Sequence, residues 1–215
     1  MKTGNLIEAL VADQAASRVS GGRPIRVALA GALALGGLVS LALFFIELGI
    51  RADIVPALAT WRFDLKIGLV LVALLSAFGL CIALSRPVAS GRPGRRLLPL
   101  AVLVAVAVAI ELAVLPSASW TTRLVGSNAL ICLVAIPTLS LAPLAAVLMV
   151  LRRGAPASPA LAGAAAGVLA AAAGATLYAF HCFDDSPLFV VTWYALAAIP
   201  VVALGAVAGH RLLRW

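Results

Sequence analysis

Charge is scarce in this sequence: only 11% of its 215 residues are Asp, Glu, Lys or Arg, against about 25% in an ordinary soluble domain. Apolar residues make up 64% of the chain, and the mean hydropathy is +1.14. A water-soluble fold of this size cannot hide so much apolar surface, so composition points to lipid. Cysteine is nearly missing as well. Cys81, Cys132 and Cys182 are too few for a disulfide scaffold and fit no zinc-finger spacing. There is no nucleophile elbow, phosphate loop, HExxH or CxxC, so the chain reads as a non-enzyme. The missing CxxC also speaks against a quinone-linked thiol oxidase. The net charge of +8 comes with no nucleic-acid motif and no interleaving of aromatic and basic residues. No direct nucleic-acid partner is therefore expected.

What the sequence does contain is six apolar runs, near residues 27–46, 65–85, 97–115, 124–151, 160–180 and 188–209. Each is long enough, at about 1.5 Å per residue, to cross about 30 Å of hydrocarbon. The expected fold is an all-α integral membrane protein. It is a polytopic bundle of six transmembrane helices over residues 27–215, preceded by a cytoplasmic segment, 1–26, with a short amphipathic helix. The first run is longer than the apolar core of a secretory signal and reads as a retained span.

The lipid bilayer is thus the first partner, and the basic residues orient the chain in it. On the side of residues 1–26 lie Lys2, Arg18, Arg23, Arg26, Arg86, Arg92, Arg95, Arg96, Arg152, Arg153, Arg211 and Arg214, which is twelve. The other side has four: Arg51, Arg62, Lys66 and Arg123. That bias puts both termini in the cytoplasm of a bacterial inner membrane. Trp61, Trp120 and Trp193 fall near the outer ends of spans, where an interfacial belt belongs.

Several residues stand out against this background. Around Glu8, Leu6 and Leu10 stack at i, i+4, as do Ile7 and Val11, giving a helix with one apolar side. Asn5 and Glu8 have capping-box spacing. This helix either rests on the membrane or fits a protein groove. Its lack of Lys and Arg is unlike interfacial anchors. Gly163 and Gly167, then Gly205 and Gly209, have GxxxG spacing, and packing of neighbouring helices within the chain is the expected use.

Cys132 and Cys182 both lie roughly 30–36 Å of helix away from the cytoplasmic turn between spans four and five. They therefore share the outer side, an oxidising compartment, whereas Cys81 belongs to the opposite end. With His181, Asp184 and Asp185 nearby, the two thiols have the donors for a soft divalent metal. The alternative is two small buried thiols packed like hydrophobes. Pro137 and Pro143 interrupt span four and favour a bend. Glu111 is the clearest acid inside an apolar run and needs a partner. A small metal or cation exporter, or a packing subunit of a membrane complex, are further readings of such a chain.

Four stretches together resemble the negative-regulator-of-sigma-F family, bacterial six-helix membrane anti-sigma factors. They are Leu6-Ile7-Glu8-Ala9-Leu10-Val11-Ala12-Asp13, and Cys132 followed by Leu151-Arg152-Arg153-Gly154-Ala155-Pro156. The third, and most specific, is His181-Cys182-Phe183-Asp184-Asp185-Ser186-Pro187-Leu188-Phe189-Val190-Val191-Thr192-Trp193-Tyr194. The last is the terminal Arg211-Leu212-Leu213-Arg214-Trp215. The resemblance implies a cytoplasmic partner, an extracytoplasmic-function sigma factor, held at the membrane away from RNA polymerase. It also implies a periplasmic-side stress signal, heavy metal or thiol oxidation, acting through Cys132 and Cys182. No resident cofactor is implied, only a transient soft metal as signal. Leu6, Ile7, Leu10 and Val11 become the expected sigma-factor contact.

Overall fold

The computed structural model describes residues 3–5, 7–8, 25–86 and 92–214. The described residues form six long helices, each long and apolar enough to cross a membrane, joined by short segments. They are α1 (Ile25–Glu47), α3 (Trp61–Leu84), α4 (Pro93–Val114), α6 (Ala129–Leu151), α7 (Pro159–Ala179) and α8 (Pro187–Leu212). Two short helices, α2 (Ile54–Ala57) and α5 (Trp120–Val125), lie in the connections.

Local chemistry sets the ends of these helices. The Thr60 side chain caps α3 by accepting from the Phe63 amide at 3.4 Å, and Asp64 sits in the first turn, where the helix dipole favours an acid. Pro159 opens α7 at a position where a missing N–H costs nothing. A turn of π-helix at Val190–Tyr194 interrupts α8.

Two buried clusters define the ends of the bundle. One gathers Leu29, Leu80, Leu151, Ala162 and Leu213 with Ile25, Leu84 and Leu97 around it. The other gathers Phe44, Leu69, Cys132, Ala179, Cys182 and Phe189. Successive long helices therefore alternate in direction. The first cluster marks a basic end. The second marks an acidic end, which holds Glu47, Asp53, Asp64, Glu111, Asp184 and Asp185, six of the chain's eight acids.

Helix α7 occupies the centre, with 13 of its 21 residues buried. It packs on α8, α6 and α3. Its alanines and glycines let neighbouring backbones come close. A Cβ on Gly163 would lie 2.2 Å from the Gly205 carbonyl oxygen, and one on Gly209 would lie 2.6 Å from Gly163 Cα. The GxxxG pairs are thus spent on one helix crossing inside the chain, as expected. At the far side of the bundle α1 meets α6 where Gly36 abuts Pro143. Helix α6 runs unbroken through both Pro137 and Pro143.

The structure corrects two boundaries. The expected run 124–151 is two helices, because Gly126 at φ +60° turns the chain between α5 and α6. A Cβ there would meet the Phe189 ring at 2.5 Å, so glycine is required on both counts. The second span starts at Trp61 rather than near Leu65. Its first turns carry Arg62, Asp64 and Lys66, which hide the helix from a reading based on apolar runs.

Candidate functional site

The segment between α7 and α8, residues 180–186, is tied to every neighbouring element at the acidic end. Asp185 is the side chain of this segment that binds both buried cations. Arg51, from the α1–α2 connection, donates from one guanidinium nitrogen to both Asp185 oxygens at 2.8 and 2.9 Å. Lys66 of α3 forms an ion pair with the same carboxylate. The Cys182 carbonyl accepts from Arg51 at 3.0 Å and from Lys66 Nζ at 2.8 Å.

The Lys66 side chain is 0% exposed and that of Arg51 5%. Burial at this depth is tolerated because every side-chain nitrogen of the two cations has at least one acceptor. Arg51 also donates to both oxygens of Asp53 at 2.7 and 2.8 Å, which holds the Asp53 carboxyl below its ordinary range. Asp53 and Asp185 together hold the guanidinium in its charged form. The faces of Phe183 and Phe63 flank the Arg51 guanidinium at 5.0 and 5.9 Å.

Asp184 points the other way. One of its oxygens accepts from the Ser127 and Asn128 amides, both at 2.9 Å, and from the Asn128 side chain at 3.0 Å. It thereby satisfies orphan donors at the start of α6, where the helix dipole favours an anion. Replacing Asp184 by Ala is expected to destabilise the protein by about 1–2 kcal/mol, with a smaller loss for Asp184→Asn. Thermal unfolding of the detergent-solubilised variants checks this, and equal losses would refute a role for the charge.

Ser186 donates to Glu111 at 2.9 Å, and Arg62 donates to the same carboxylate at 3.1 and 3.2 Å. Glu111, fully buried, is thus paired rather than left bare in its apolar run. His181 Nδ1 lies 3.0 Å from the Gly49 carbonyl.

Beneath this polar layer, Cys132 in the first turn of α6 and Cys182 are both fully buried free thiols in one cluster with Tyr178 and Tyr194. Burial pushes the Cys182 thiol up from its ordinary value. The five residues singled out from sequence for signal sensing therefore divide. Cys132 and Cys182 come together. His181, Asp184 and Asp185 turn to a backbone carbonyl, to the start of α6 and to two cations. Among the described residues no group of three or more His, Cys, Asp or Glu is placed to hold a metal ion.

Sequence reasoning missed Arg51 and Lys66 as buried partners of the Cys182 segment. For Lys66 alone a hint was available, since a lysine inside an apolar run is a candidate for function by default. For the exporter reading, the buried polar side chains along the middle of the bundle include Ser40 and Ser140. Both donate to helix carbonyls, at 2.6 Å each, so their hydroxyl protons are already spent within the helix packing. Of the expected sigma-factor contact, Ile7 is helical and 56% exposed. Leu6, Leu10 and Val11 lie outside the described residues.

A family model described as "Negative regulator of sigma F" matches residues 10–215. The chain belongs to the negative regulator of sigma F family. It is 35% identical over 220 residues to "Anti-sigma-F factor NrsF" of Caulobacter vibrioides. It is 33% identical over 217 residues to "Probable anti-sigma-F factor NrsF" of Azospira oryzae. Both alignments cover the whole of each chain. No solved structure matches. The negative regulator of sigma F match takes in the whole described bundle, with both cysteines and the layer of ion pairs above them.

Proposed function

We propose that this protein is a multi-pass anti-sigma factor of the bacterial inner membrane, with both termini in the cytoplasm. It holds an extracytoplasmic-function sigma factor away from RNA polymerase. It releases this partner when heavy metal or thiol oxidation on the periplasmic side acts on Cys132 and Cys182. The observation that carries the reading is the end-to-end similarity to a relative named as an anti-sigma-F factor. The orientation rests on the twelve-to-four division of Lys and Arg between the two ends. Leu6, Ile7, Leu10 and Val11 of the N-terminal segment supply the sigma-factor contact.

The Cys182 carbonyl is an acceptor for both Arg51 and Lys66. A metal or oxidant that draws Cys132 and Cys182 together displaces that carbonyl and disturbs the ion pairs above it. The signal acts only through a difference in sigma-factor affinity between the two arrangements.

The test is a pull-down of the solubilised protein from its native cells, with and without residues 1–16. Full-length protein is expected to retain a sigma factor and the shortened protein to lose it. Failure of both forms to retain one would sink the proposal. The Cys132→Ser, Cys182→Ser double variant is expected to hold its partner under metal stress that releases it from the unaltered protein. Normal release by the double variant would remove the thiols from the mechanism.

A further inference from the structure

At the basic end, a groove of about 780 Å³ opens between α1 and α6. Its shape follows from one close contact. At Gly36 the α1 backbone touches Pro143 of α6, with a built Cβ only 2.6 Å from Pro143 Cα. From that point toward the basic end the two helices part. The walls are apolar, with Val27, Leu35 and Met149 among the well-exposed side chains. Gly31 leaves open space, since nothing lies within 4 Å of a Cβ built there. At the mouth stand Arg86 and Arg153. Both are exposed, and neither forms an ion pair with a described residue.

The dimensions and the charge select an occupant. From Ile25 to Leu35 the groove follows eleven residues of α1, about 15 Å of helix, which is the depth of one leaflet of a bilayer with about 30 Å of hydrocarbon. Two guanidinium groups at headgroup level above an apolar wedge match a phosphate diester carrying an acyl chain. Basic pockets between membrane helices on the cytoplasmic side recognise anionic lipid in this way. A soluble anion would use the arginines and leave the wedge empty.

We infer that this groove is a binding site for an anionic phospholipid, with its phosphate between Arg86 and Arg153 and one acyl chain lying over Gly31 as far as Leu35. The site joins the helix that leads from the N-terminal segment to the helix that carries Cys132. The inference does not depend on what the N-terminal segment binds.

Native mass spectrometry of the full-length protein in mild detergent tests it, with phosphatidylglycerol and phosphatidylcholine offered in equal amounts. The unaltered protein is expected to retain phosphatidylglycerol with a preference of about tenfold or more. Arg86→Gln with Arg153→Gln should abolish the preference, and Arg211→Gln, at the same end but outside the groove, should keep it. Gly31→Leu, whose Cβ would meet nothing within 4 Å, should lower retention with both arginines in place. Equal retention of the two lipids by the unaltered protein, or a preference unchanged in the double Gln variant, would overturn the site. So would retention of phosphatidylglycerol only after deletion of residues 1–16, which would assign the groove to those residues.

Discussion

Asp185→Ala is expected to destabilise the protein by about 3–5 kcal/mol, the usual consequence of leaving a buried charge without its partner. Lys66 has no exposed side-chain surface, and Asp185 is its ion-pair partner. Without that carboxylate, the ammonium retains the Cys182 carbonyl as its acceptor. Arg51 suffers less, because Asp53 still accepts two of its hydrogen bonds. The reverse change, Lys66→Met, is expected to cost much less. It removes a buried charge rather than stranding one, and Asp185 keeps both contacts to Arg51. The asymmetry is the diagnostic part, and a double-mutant cycle isolates the coupling between the two sites. Unfolding in detergent, followed by circular dichroism, measures it. Equal losses for the two single variants would mean that Lys66 reaches water or another acceptor when Asp185 is gone.

The second large effect belongs to the α7–α8 crossing. Gly163→Ala is expected to lower stability by more than about 3 kcal/mol, above the usual range for overpacking. The added carbon meets a backbone carbonyl rather than a movable side chain, at 2.2 Å from the Gly205 oxygen. The two helices must separate to admit it, and the alanines of α7 then lose contact along its length. Gly68→Ala is the matched control. Nothing lies within 4 Å of a Cβ at Gly68, so the better helix propensity of Ala should make that variant equal or slightly more stable, by up to about 1 kcal/mol. The same unfolding measurement compares them. If Gly163→Ala were as stable as Gly68→Ala, the close crossing described above would be wrong.

The sequence made the bundle legible because six runs of apolar residues leave little other choice, and because Gly163 with Gly167 and Gly205 with Gly209 mark faces that must meet something closely. It also paired Cys132 with Cys182, since chain length along spans four and five brings both to one end. The ion-pair layer was harder to read. Arg51 and Lys66 were taken as charges that orient the chain, and nothing in their spacing says that they turn inward. Asp184 and Asp185 are adjacent in sequence and were read as one group of ligands. A bend of the chain sends one to the start of α6 and the other to α3, a divergence that only the fold reveals. The start of α3 was missed for a related reason, since Arg62 and Asp64 look like loop residues until Glu111 is in place as the partner of Arg62.

Helix α4 has only two buried residues, Ala107 and Glu111, and its firm tie to the other helices is the carboxylate held by Arg62 and Ser186. The protein is therefore not equally cohesive throughout. The other five long helices bury more of their apolar faces, while α4 rests on a few apolar contacts, at Leu97, Leu103, Val104 and Ala107, and one polar anchor. Amide exchange is expected to be faster along α4 than along the other five long helices, because its backbone is the least covered and its loss would open one wall of the layer above the two thiols.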